Sequence, residues 1–206
     1  MKLYTFDSAP NPQRLGLFIK YKGIEIETQQ VDMMTGEQLS DAYRAVNPAC
    51  TVPALVLEDG TVMTEVVGMC HYLESLHPER PLMGTTALEK AQVISWDHKL
   101  FLSAFMAIAE ILRNSSKGMV DRALPGPLNL PQIPALAERG AVRMDHAWQS
   151  LDADVPAAGW LAGEHFSLAD IDMHVVAAFS GWVKKTPPES CTNLHAYLQR
   201  VAAELG

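Results

Sequence analysis

Apolar positions along the chain fall into two regimes. Before residue 77, short alternating runs and helical spacings take turns; from Ala87 onward only helical spacing remains. Residues 2–6 alternate and are rich in β-formers, which predicts a first strand, and residues 7–12 are turn formers. Leu15, Leu17, Phe18 and Ile19 predict a helix over 13–22, with Pro12 near its first turn and Gly23 just past its end. Residues 24–27 alternate again and predict a second strand, 33–39 form a polar loop, and 38–45 predict a short helix. The runs 54–57 and 61–63 flank Asp59-Gly60, a hairpin signal because glycine supplies the positive φ that such a turn needs. After Glu65, the residues Val66, Val67, Cys70, Leu73 and Leu76 recur at helical spacing and stop before Pro78.

The order β-α-β-α-β-β-α over residues 1–78 is that of a thioredoxin-like α/β domain, in which a helix crosses over between parallel strands. Residues 76–86, with His77-Pro78-Glu79-Arg80-Pro81 at their centre, read as a linker. Helical patterns follow over 88–113, 135–151, 169–183 and 194–205, with a break at 114–134 that holds two glycines and four prolines. The chain is therefore expected to pair a thioredoxin-like N-terminal domain, 1–78, with an all-α helical-bundle domain, 88–206.

Charge and composition then narrow the function. Sixteen basic against 24 acidic residues give a formal charge of −8, with no basic cluster, which argues against a nucleic-acid partner. The longest apolar stretches fall far short of the ~20 residues of a membrane helix, and Asp7 comes too early for a secretory leader. Three cysteines without a C-x-x-C pair suit a reducing compartment, so a cytoplasmic protein is expected. The loop from Ser8 to Arg14, where a dithiol relative would carry its cysteines, has none. The seven histidines lack metal-ligand spacing, and no metal is expected.

Two stretches carry a resemblance. Asn47-Pro48 is followed by Val52-Pro53-Ala54-Leu55, then the hairpin, then Glu65 opening a helix. Taken alone, Val52-Pro53 reads as an ordinary trans bond. The whole segment, however, is similar to the glutathione-binding segment of the glutathione S-transferases. That resemblance implies a cis Val52-Pro53 bond, with the backbone of Val52 pairing with the cysteinyl part of glutathione like an added strand. It further assigns Pro53, Glu65, the backbone N–H of Val66 and Gln38 to glutathione, the γ-glutamyl end lying at the helix start. Three positions depart from the family pattern: Val66 replaces a hydroxyl residue, Cys50 a glycine, and Thr51 a frequent Lys or Arg. The second stretch, Leu161-Ala162-Gly163 followed by Phe166-Ser167-Leu168-Ala169-Asp170, resembles the start of the buried helix in the same family's C-terminal domain. By itself it is a folding motif, with Ser167 and Asp170 as a capping box and Phe166 as a hydrophobic staple against Ile171.

The resemblance implies an enzyme that conjugates the glutathione thiolate to small hydrophobic electrophiles, with glutathione as co-substrate and a homodimer as the assembly. A thiol held at the positive end of a helix drops from a pKa of about 8.5 toward the range ~3.5–7.5. In the Pro-Asn-Pro-Gln-Arg loop the side-chain amide of Asn11 is the first choice as donor to the sulfur, Ser8 the second and Tyr4 the third. Read without the resemblance, Asn11 is an Asx-turn residue between two prolines, and Arg14 is a helix-surface or ion-pair residue. The wall for the electrophile would draw on the loop at Ala9 and Pro10 and on Phe101, Phe105, Met106 and Leu112. Two alternatives stand beside conjugation. One is a non-catalytic ligand- or partner-binding protein, favoured by Val66 and by the lack of a clear Tyr, Ser or Cys activator. The other is a glutathione-dependent peroxidase or isomerase, which would use the same thiolate.

Overall fold

The computed structural model describes residues 1–206 and divides into two compact units, one of residues 1–80 with 124–128 and one of residues 81–123 with 129–206. The first is a thioredoxin-like α/β unit and the second is helical.

In the first unit, β1 (Lys2–Thr5), α1 (Pro10–Lys22), β2 (Glu27–Gln30), a 3-10 turn (Glu37–Leu39), α2 (Asp41–Arg44), β3 (Ala54–Val56), β4 (Val62–Met63) and α3 (Val66–Leu76) follow in order. The sheet runs β2-β1-β3-β4. β1 is parallel to β2, with Lys2 opposite Glu27, and antiparallel to β3, with Leu3 opposite Leu55; β3 and β4 form the hairpin. Gly60 sits at φ 85 in its turn, as the Asp-Gly signal requires.

Strand alternation sorts the core. Leu3 and Thr5 face α1, and the buried residues Leu15, Phe18, Met69, Cys70 and Leu73 come from α1 and α3, which pack together. Tyr4, between them in sequence, belongs with Phe6 and Met33 to a smaller cluster around Val31, Tyr43 and Val52.

Three elements differ from the sequence expectation, each for a local reason. α1 starts at Pro10 rather than near Gln13, because proline suits the first helical position, where its missing N–H is no loss. β2 lies at Glu27–Gln30 rather than 24–27. Gly23 at φ 69 and Ile24 are spent closing α1, with their N–H groups on the carbonyls of Lys20 and Ile19 at 3.1 Å each. The expected helix over 38–45 is split, because Ser40 caps α2, its hydroxyl accepting from the Tyr43 N–H at 3.2 Å.

In the second unit, α4 (Ala87–Leu100) passes through a π turn (Phe101–Phe105) into α5 (Met106–Ser115), followed by α6 (Pro134–Asp154), α7 (Leu168–Ser180) and α8 (Thr192–Leu205). The single long helical pattern is therefore real but widened once, the Met106 N–H reaching back to the Phe101 carbonyl. α5 and α6 pack closely at Gly140, where a Cβ would come within 2.8 Å of the Ala107 carbonyl oxygen. Trp148 is buried and donates its indole N–H to the Lys185 carbonyl at 2.6 Å. No helix is long and apolar enough to cross a membrane.

Candidate functional site

Three backbone features of the first unit leave donors or acceptors without partners in the chain. The first is the turn into β3. The Val52-Pro53 bond is cis, and both residues are buried. Val52 precedes the strand, and its N–H and C=O enter no hydrogen bond within the chain. Its side chain packs in the cluster with Val31 and Tyr43. Just before it, the Thr51 carbonyl accepts two hydrogen bonds, from the Tyr43 hydroxyl at 2.7 Å and from Asn47 Nδ2 at 2.8 Å. Asn47 is itself held, its Oδ1 accepting from the Ala49 N–H at 3.0 Å. Burial pushes the Tyr43 phenol up to about 12, so it remains a donor throughout the neutral range.

The second feature is the start of α3. Glu65 occupies the N-cap position, exposed and making no side-chain cap, and its carbonyl takes the first helical bond from the Met69 N–H at 3.0 Å. The N–H groups of Val66, Val67 and Gly68 are the helix's orphan donors. They make the start of α3 favourable to an anionic group, with the Val66 side chain buried beneath.

The third is the start of α1. Pro10 and Pro12 carry no N–H, and the Gln13 N–H already bonds the Ala9 carbonyl at 3.0 Å. Asn11 is thus the sole residue of this turn with a free peptide donor. Arg14, which is buried, donates from Nη1 to Asn11 Oδ1 at 3.1 Å. With its oxygen engaged, the carboxamide presents Nδ2 as its open end. Sequence reasoning took Arg14 for a helix-surface or ion-pair side chain; it is buried rather than on the surface, and it holds the amide beside it.

Of the remaining candidates, Ser8 is exposed, and its carbonyl accepts from the Gln13 side chain at 3.3 Å. Tyr4 is a packing residue, edge-on to Tyr43 at 6.1 Å between ring centroids. Gln38 is buried in the 3-10 turn, and its Oε1 has no partner, a state that costs about 1–3 kcal/mol unless something fills it. All seven candidate residues, Ser8, Asn11, Gln38, Val52, Pro53, Glu65 and Val66, belong to the first unit. Tyr43 and the Asn47 side chain were not singled out from sequence. Their signal was slight, a tyrosine four residues before an Asn-Pro pair.

In the second unit, Asp170 is fully buried at the first turn of α7. It accepts from the Ser167 N–H at 2.9 Å, the Ser167 hydroxyl at 2.8 Å, the Leu161 N–H at 2.9 Å and the Tyr197 hydroxyl. Burial nevertheless outweighs these bonds and raises its carboxyl above the ordinary value. Phe105 is a core residue, tilted against Phe179 at 5.3 Å and stacked with the half-exposed Phe101 at 5.7 Å.

The chain matches the family model for the glutathione S-transferase N-terminal domain over residues 9–76 and that for the C-terminal domain over residues 129–204. It is 26% identical to glutathione S-transferase 2 of Saccharomyces cerevisiae, over 98% of this chain and 85% of that one. It is 27% identical to the glutathione S-transferase GstA of Escherichia coli O157:H7, over 89% of this chain and 84% of that protein. Among solved structures it superposes on a glutathione S-transferase domain-containing protein from Marinobacter aquaeolei VT8 with a TM-score of 0.88 at 27% identity, covering all of both chains. With both domain models matched in order, the cis Val52-Pro53 bond ahead of β3 and the Asp170 cap at the head of α7, the chain belongs to the glutathione S-transferase family.

Proposed function

We propose that this protein is a glutathione transferase that adds the glutathione thiolate to small hydrophobic electrophiles. The observation that carries the reading is the Val52 backbone, whose N–H and C=O are unpaired in a unit otherwise stitched into a sheet and helices. A peptide such as glutathione would satisfy both groups by pairing as one more strand. Its γ-glutamyl carboxylate would take the orphan N–H groups at Val66, Val67 and Gly68, with Glu65 beside its ammonium. Gln38 Oε1 would accept from a ligand N–H. At the sulfur, Asn11 Nδ2 and the Asn11 peptide N–H are the donors that favour thiolate over thiol. Addition then follows by attack of the sulfur on an electrophilic carbon.

Titration calorimetry with glutathione near neutral pH tests this reading. Binding that Glu65→Ala weakens by about tenfold or more supports it, since a bond to a charged group contributes ~1.5–3 kcal/mol. Turnover of dinitrochlorobenzene in the same preparations separates catalysis from binding. Binding without turnover of this or other electrophiles favours the ligand-binding reading, for which Val66 in place of a hydroxyl residue speaks. Absence of any binding at millimolar glutathione refutes the transferase reading and favours the non-catalytic one, with Val66 as its cause.

A further inference from the structure

Thr51 C=O and Val52 N–H belong to one peptide group, and that bond is trans, because the chain's cis bond is the next one, Val52-Pro53. Carbonyl and N–H therefore point in opposite directions. On the carbonyl side stand two buried donors, the Tyr43 hydroxyl at 2.7 Å and Asn47 Nδ2 at 2.8 Å, with Asn47 Nδ2 also 3.1 Å from Thr51 Oγ1. On the opposite side the Val52 N–H has no partner in the chain. Two hydrogen bonds into one carbonyl do two things. They fix the plane of the peptide, and they draw electron density toward the oxygen, which makes the N–H a stronger donor.

We infer that Tyr43 and Asn47 are positioning residues that aim and polarise the Val52 N–H for a ligand carbonyl, without touching the ligand themselves. The inference rests on the proposed pairing of Val52 with glutathione and goes beyond it by assigning how that donor is prepared. Both residues approach from a direction set by local folding. Tyr43 lies on α2, which Ser40 caps, and Asn47 follows the end of that helix, where its N–H bonds the Tyr43 carbonyl at 2.8 Å. The ring of Tyr43 is wedged against Tyr4 and the Val52 side chain, so the hydroxyl cannot swing away.

The test is a glutathione titration of the full chain followed through backbone amide resonances, on wild type, Tyr43→Phe and Asn47→Ser. In the wild type the Val52 amide proton should move downfield as glutathione is added. Tyr43→Phe and Asn47→Ser should each raise the glutathione Kd and KM by about two- to tenfold. They should leave kcat and the ionisation midpoint of the bound thiol unchanged, and should shift the ligand-free Val52 amide proton upfield. A role confined to holding the fold would lower the unfolding midpoint without that amide shift. If the wild-type Val52 amide does not respond, the pairing of Val52 falls and this inference with it. If it responds but both variants bind glutathione as the wild type does, the inference falls and the pairing stands. If neither variant folds, the ligand-free wild type decides: a Val52 amide proton no further downfield than the unbonded amides of Val66 and Val67 overturns the polarised donor, and one clearly downfield of them supports it.

Discussion

Replacing Asp170 by alanine should remove a large share of the stability of the helical unit. The carboxylate is fully buried and holds four donors: the N–H groups of Leu161 and Ser167, the Ser167 hydroxyl and the Tyr197 hydroxyl. The Ser167 hydroxyl can rotate to another acceptor, but the two N–H groups are fixed by the backbone and Tyr197 is itself buried. Three stranded donors at about 1–3 kcal/mol each set the upper side of the loss. Against this stands the relief of burying one fewer charge, which the raised carboxyl pKa reports. A net cost of about 3–6 kcal/mol follows, a large share of a domain's ~5–15 kcal/mol. Urea unfolding followed by circular dichroism reads it as a fall in the midpoint. The pH dependence has a definite sign. A carboxyl whose folded pKa is raised contributes stability that is whole below the unfolded value near 3.9 and is lost as pH rises through the folded value. Asp170→Asn cannot titrate, so its deficit against wild type should be greatest in acid and narrow toward neutral pH. A cost under about 1 kcal/mol for Asp170→Ala, or a deficit that widens with pH, would refute the reasoning.

Two further substitutions test the molecule elsewhere. Asn11→Ala should raise the pKa of glutathione's thiol in the complex by about one to two units, the worth of one hydrogen bond to a charged sulfur, as read from thiolate absorbance against pH; an unchanged midpoint would remove Asn11 from the chemistry. Gly140→Ala should destabilise by about 1–3 kcal/mol in thermal unfolding despite alanine's better helix propensity, because its Cβ would meet the Ala107 carbonyl oxygen at 2.8 Å and Ile111 Cγ1 at 2.9 Å; a gain in stability would mean that α5 and α6 separate freely.

What the sequence made legible follows from how many independent signals each element carried. The hairpin had two apolar runs and an Asp-Gly turn, and α7 had a cap, an acid three residues on and a buried face. Both stand close to where those signals put them. β2 had no such support: Glu27, Thr28, Gln29 and Gln30 are all exposed, so no alternation marks the strand, and only its ladder with β1 defines it. The π turn was invisible because one widened turn inside an unbroken apolar helix changes no residue type. Residues 124–128 join the first unit through close approaches such as that of Gly126 to the Ala49 carbonyl, which no local pattern announces. At the candidate site, the motif pointed to the Val52-Pro53 turn, and the bond is cis as the resemblance implied. The double acceptance at Thr51 was not readable, since Tyr43 and Asn47 meet that carbonyl only once the chain has turned back on itself.

The sheet's two borders bear on how this protein behaves at high concentration. A sheet edge is a template on which a second chain can crystallise into a growing stack. Here one border, β2, is wholly polar, and Lys2 is tied to Glu27 across the adjoining ladder at 3.2 Å; the other, β4, is two residues long. Neither offers the long, flat, apolar rim on which aggregates propagate. The molecule thus leaves the Val52 backbone unpaired while its sheet margins discourage self-association into fibres.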